Sequence, residues 1–146
     1  MTTALTPLPL DTSRAIPARH LTVLLLACAV AFATSMPLPW HHDVIPAAGY
    51  RVVYGIGGAS WLVVAAVLCA VFALMFALRR PAFYSRWLVT LLGFCVVLGV
   101  FTDYINWQNS AGRLYVAAYF GPGFYVALGG MLLLVLTVVL TWRASD

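Results

Sequence analysis

With 146 residues, 64% of them hydrophobic and 8% charged, the chain is one domain at most. It cannot clothe a water-facing surface, where about 25% charged residues is usual, so composition predicts an integral membrane protein. The formal charge of +4 comes from arginine alone, and the arginines stand at the ends of apolar segments, which points to topology and not to nucleic acid.

Residues 1–19 form a polar tail with Pro7, Pro9 and Pro17 and no apolar period, predicted to be irregular and cytoplasmic. The rest, residues 20–146, forms one transmembrane domain with four apolar segments, at about 20–36, 52–78, 87–107 and 123–142. Each is close to the roughly 20 residues that cross a 30 Å hydrocarbon core. The first ends at Pro37 and Pro39. Its "AFA" (Ala31 to Ala33) and "LLAC" (Leu25 to Cys28) touch on signal-peptide patterns, but the region before it is far longer than a signal's basic head, so a retained helix is expected. The second segment is long enough to tilt. Cys28, Cys69 and Cys95 lie inside apolar segments and read as packing residues, not as a disulfide framework.

Between the first two helices lies Pro37 to Arg51; between the last two lies Tyr104 to Pro122, whose stretch from Ala111 to Phe120 reads as a short interfacial helix or a helical extension. If the N-terminus is cytoplasmic, six arginines fall inside (Arg14, Arg19, Arg79, Arg80, Arg86, Arg143) and two outside (Arg51, Arg113). Trp40 and Trp107 then mark the outer interface, and Trp87 and Trp142 the inner one.

Membrane helices associate through small residues. In the second helix Gly55, Gly58, Ala59, Ala66, Cys69, Ala70, Ala73 and Ala77 share one face, opposite Val64, Val67, Leu68, Val71 and Met75. The fourth aligns Gly123, Ala127 and Gly130 with Leu134, Thr137 and Thr141. The first offers Ala27, Ala31 and Thr34, and the third Cys95, Gly99, Thr102, Asp103 and Asn106. These faces predict an all-α fold, a compact four-transmembrane-helix bundle.

The chemistry available is sparse. "YGIGGAS" (Tyr54 to Ser60) lacks the spacing and the preceding strand of a nucleotide loop and reads as helix packing. His41, His42 and Asp43 are metal-ligand types, but a strand would point the two histidines to opposite sides. They read as a hydrated polar lip beside Trp40. Asp103, at the outer end of the third segment, is expected to pair with Arg51 or Arg113, helped by Asn106. No ionisable group continues from it toward the inner face, which argues against a proton or ion relay. No nucleophile setting for Ser35 or Ser60 is present.

The expectation is therefore a non-enzymatic protein of the bacterial inner membrane (arginine without lysine fits a high-GC genome), with no cofactor. Its first reading is an accessory or assembly subunit whose partners are the bilayer, other membrane subunits or a second copy. The alternative is a binding protein for a lipid, quinone or other apolar ligand at the outer rim, near Trp40, Trp61, Trp107 and Asp103. A further alternative is a metal or haem protein using His41 and His42. The arginine distribution predicts both termini in the cytoplasm: a reporter fused after Asp146 will be active only if it works inside, and activity of a periplasm-only reporter there would reverse the topology.

Overall fold

The structure, a computed structural model, describes residues 18–45, 49–78, 85–114 and 117–143. Helix makes up 80% of it, so the all-α class holds, with a three-stranded antiparallel sheet added at one end. In chain order the elements are α1 (Ala18–Ser35), β1 (Pro39–Ile45), β2 (Gly49–Tyr54), the single turn α2 (Gly55–Gly58), α3 (Trp61–Ala77), α4 (Ser85–Leu114), β3 (Ala117–Phe120) and α5 (Pro122–Arg143). Two helical spans, Arg86–Asn109 and Pro122–Arg143, are long and apolar enough to cross a membrane; Arg19–Ser35 and Trp61–Ala77 are shorter apolar helices.

α1 stops where Pro37 and Pro39 can no longer supply backbone donors. Trp40 then turns back, and its indole N–H donates to the free carbonyl of Ser35 at 3.2 Å, satisfying one of the helix's terminal acceptors. β1 leads into a hairpin with β2, and Gly49 holds φ +84, a conformation that L side chains rarely adopt. β3 pairs with the other edge of β1, giving the order β2-β1-β3. The strands were not expected. Tyr50 to Tyr54 is an aromatic and β-branched run, so the predicted second helix loses its first residues to β2 and begins in earnest at Trp61. Likewise α4 continues to Leu114, and Ala117 to Phe120 is strand instead of interfacial helix. The tail before residue 18 and most of the loop around Arg79 and Arg80 lie outside the described residues.

α1 is the hub of the helical layer. It packs most extensively on α3 and α5, while α4 leans on α5 and touches α3 less. Each long helix buries one stripe. In α5 the stripe is Gly123, Phe124, Ala127, Gly130, Leu134, Thr137 and Thr141. In α1 the buried residues are Leu21, Leu25, Cys28, Phe32 and Ser35, Ala31 is half-buried against Gly130, and Ala27 and Thr34 face outward. Size complementarity accounts for the reversal: a Cβ on Gly130 would lie 3.0 Å from the Phe32 ring, so the small residues of α5 receive the large ones of α1. In α3 the face is turned from the expected one. Leu62, Ala65, Cys69, Phe72, Ala73 and Phe76 are buried, Ala66 is half-buried, and Ala70 and Ala77 are exposed. In α4 the buried residues are Val89, Leu92, Val96 and Val100, with Cys95 and Thr102 outside.

Ala73 and Ala70 provide a matched pair on one helix. Ala73→Leu, at 1% exposure, will overpack the helical layer and lower stability by about 1–3 kcal/mol. Ala70→Leu will stay within about 0.5 kcal/mol. Thermal unfolding in detergent reads the difference, and equal effects would contradict this orientation of α3.

Candidate functional site

β1 is the middle strand, so alternation along it decides what each of its side chains meets. His41 and Asp43 fall on the face toward the helices. Asp43 is 1% exposed, and its Oδ1 lies 2.9 Å from His41 Nδ1. A carboxylate can only accept, so Nδ1 carries the proton and Nε2 is the free ring nitrogen. The expectation that these residues stay hydrated is corrected for Asp43: strands flank it on both sides and helices cover its face. His42 points the other way. Its ring stacks on Tyr119 at 4.7 Å between centroids, the Tyr50 hydroxyl contacts its Nδ1, and the Tyr50 and Tyr119 hydroxyls are 3.3 Å apart. The hydrogen bond with Tyr119 raises the pKa of the Tyr50 phenol above its usual value. The two histidines thus stand on opposite faces of one sheet and do not converge on one ion. Among the described residues no three His, Cys, Asp or Glu side chains gather as a metal site.

Asp103 enters the same region from α4. Its Oδ2 accepts a hydrogen bond of 2.8 Å from the indole N–H of Trp61, in the first turn of α3. Of the two arginines expected to pair with Asp103, Arg51 makes no ion pair with it, and the side chain of Arg113 lies outside the described residues. Among the described residues the only ion pair is His41–Asp43. Arg51, opposite Asp43 in the β1–β2 register, borders the same space as Asp103 without touching it. The indole reaches the carboxylate because the Trp61 ring lies flat on Gly99, one turn before Asp103, where a Cβ would sit 2.9 Å from the ring.

Between the sheet and the helix ends these groups enclose a cavity of about 320 Å³. That is the lower end of the range for small-molecule sites. His41 and Asp43 come from the sheet, Asp103 and Asn106 from α4, and exposed Arg51 stands at the edge beside Val53 and Gly57. Aromatic walls complete it. Trp40 meets Phe124 edge to face at 5.7 Å, Phe120 stacks on Phe124 at 4.2 Å, and Trp107 leans on Phe120 at 4.1 Å. The indole nitrogen of Trp107 is buried and has no hydrogen-bond partner among the described residues. A buried donor left unmatched costs about 1–3 kcal/mol.

The structure therefore gathers Trp40, Trp107, Asp103, Asn106, Arg51, His41 and Asp43 around one space, with Trp61 held behind Asp103. Gly55 and Gly123, expected to pack helices, pack instead against Trp40. Ala59, Ala73, Ala127 and Gly130 are buried between helices, and Ala66 is half-buried. Phe120 and Phe124 were missed as site residues, because only the unforeseen pairing of β3 with β1 brings them over the cavity. The aromatic run of Tyr50 to Tyr54 carried the signal for the sheet, and nothing local carried it for β3.

The two histidines will differ in stability measurements. His41→Ala leaves the buried Asp43 without its donor and will cost about 1–3 kcal/mol. His42→Ala, on the exposed face, will cost about 0.5 kcal/mol. Equal costs in thermal unfolding would show that Asp43 does not depend on His41. No protein-family model matches this chain and no curated protein matches it, so the geometry of the site carries the functional reading.

Proposed function

We propose that this is a four-span, non-enzymatic membrane protein that holds the polar head of a membrane amphiphile in the cavity beneath its sheet. The observation that carries this reading is a cavity whose wall presents Asp103, Asn106, His41 and Arg51 beside the aromatic rings of Trp40, Trp107, Phe120 and Phe124. A concave space that sets convergent polar groups beside aromatic walls is a usual place for a small-molecule site.

Four spans are supported by the packing of the two short apolar helices beside the two long ones. A 17-residue helix rises about 26 Å, just short of a typical 30 Å core, and lies within the observed range of spans. The outward faces suit lipid: Val63, Val64, Val67 and Val71 on α3, and Leu91, Phe94, Leu98 and Phe101 on α4, are all exposed. With both termini cytoplasmic, as the arginine bias favours, the sheet end lies on the outer side of a bacterial inner membrane. The opposite end carries Trp87 against Trp142 edge to face at 4.9 Å and Arg86 5.0 Å from the Trp142 ring, an interfacial grouping that suits the inner side. An accessory or assembly role would use the same exposed faces, which lipid also covers, so the cavity favours ligand binding over it.

Native mass spectrometry of the full chain, released from lipid nanodiscs, tests the reading. The wild type will retain about one amphiphile. Gly57 borders the cavity, and a Cβ there meets nothing within 4 Å, so Gly57→Phe will fit and obstruct the space. This variant will unfold at the wild-type temperature and lose the adduct. Copurification of a stoichiometric protein partner with no lipid would favour the accessory role instead.

A further inference from the structure

A second space lies beside the cavity. α3 and α4 diverge, leaving an open groove of about 400 Å³ lined by Val64, Leu68, Phe72, Leu91 and Cys95. Trp61 stands between the two spaces. Its ring heads the groove, and its N–H reaches Asp103 at the cavity wall. An apolar groove and a polar cavity that adjoin through the Trp61–Asp103 contact match a molecule with a hydrocarbon chain and a polar head.

The charges in the cavity narrow the head. Asp43 and Asp103 carry carboxylates, and among the described residues the one guanidinium of the lining, Arg51, stands exposed at the edge. A phosphate would meet two like charges in a partly dry space. A quaternary ammonium would have to pass Arg51. A hydroxyl suits the polar groups of the wall: it donates to the Asp103 carboxylate and accepts from Arg51. Asn106 does both, and the rings of Trp40, Trp107 and Phe124 offer apolar faces to the C–H side of a sugar.

We infer that the amphiphile is an uncharged glycosyl or polyol lipid, its hydroxylated head in the sheet-end cavity and one hydrocarbon chain passing Trp61 into the α3–α4 groove. This rests on the amphiphile-binding reading above and adds the class of head and the path of the chain.

The test is a competition in phosphatidylcholine nanodiscs, because sugar-headed detergents would themselves compete. Equal amounts of monoglucosyl diacylglycerol, phosphatidylglycerol and a trimethylammonium diacyl lipid are supplied, and the adducts are counted by native mass spectrometry. The wild type will favour the glucosyl lipid about tenfold over each of the others. Asp103→Asn keeps an acceptor for Trp61 and removes the charge, so the share of phosphatidylglycerol will rise. Asn106→Leu removes a donor and an acceptor from the wall, so the preference for glucosyl lipid will fall about tenfold. Cys95→Phe narrows the groove from its exposed side and will reduce all adducts with the order of heads unchanged. Thermal unfolding of each variant separates loss of binding from loss of fold. Preference for phosphatidylglycerol, for the trimethylammonium lipid or for phosphatidylcholine itself would overturn the head class while leaving amphiphile binding in place. Absence of every lipid adduct from folded wild type would overturn the underlying reading as well.

Discussion

Trp40 is buried at the point where α1 stops and the sheet begins, and three separate segments close onto it. Gly55 at the end of β2, Gly121 after β3 and Gly123 in the first turn of α5 each come so near Trp40 or Pro39 that a Cβ would collide with the indole or with the backbone. The amide of Gly121 donates to the Trp40 carbonyl at 2.7 Å, and the indole N–H caps α1 through Ser35. Trp61 and Phe124 meet the ring edge to face at 6.4 and 5.7 Å. One side chain thus ends a helix, fixes where β1 starts, and sets how near α3 and α5 approach. A bulkier residue at any of the three glycines would have to move backbone, because each added Cβ would meet a carbonyl (Ser35 at Gly55, Pro39 at Gly121, Leu38 and Pro39 at Gly123) and no flexible side-chain tip can give way.

The cavity follows from that arrangement. With Trp40 pinned among the helix ends, the next residue of β1 that faces the same way at full depth is Asp43, and a buried carboxylate needs a donor. His41, two residues earlier on the same face, is the local solution, and it turns its second ring nitrogen away from Asp43. Asp103 is met in the same manner from α3 by Trp61. Both carboxylates are thereby held by ring N–H donors, which leaves Arg51 at the edge outside any ion pair among the described residues. The result is a recess whose polar groups are oriented yet not mutually neutralised, a state suited to a neutral, hydrogen-bonding guest.

Much of the helical layer was legible from hydropathy alone, since long apolar runs bounded by arginine and proline admit few readings. The inward stripe of α5 was legible for the same reason: Gly123, Ala127 and Gly130 stand at helical spacing. The faces of α1 and α3 were not. Small residues mark where helices can approach, but in α1 the large Leu25 and Phe32 fill the space that α5 leaves open. The sheet was hidden because its strands are short and one of them, β3, lies about 75 residues from its partner, beyond the reach of local pattern. The site was half legible. Asp103 and the aromatic rim stood out as rare polar and interfacial residues, whereas the partner of Asp103 depended on how α3 and α4 cross.

The sheet also limits where the cavity can lie. Its middle strand has both edges paired, but β2 and β3 each keep one edge unpaired within the described residues. Unpaired backbone donors and acceptors cannot face hydrocarbon, where nothing satisfies them. If the helices span a bilayer, the sheet must stand in the headgroup layer or in water, and the cavity directly beneath it must sit at the boundary. Asp103 is then one wall of a chamber open to the polar zone above, while Trp61, holding its carboxylate, looks down onto hydrocarbon. The boundary of the membrane and the boundary between the two spaces fall on the same indole ring. A molecule that fills both must change from polar to apolar at that depth, as a membrane lipid does between its head and its chains.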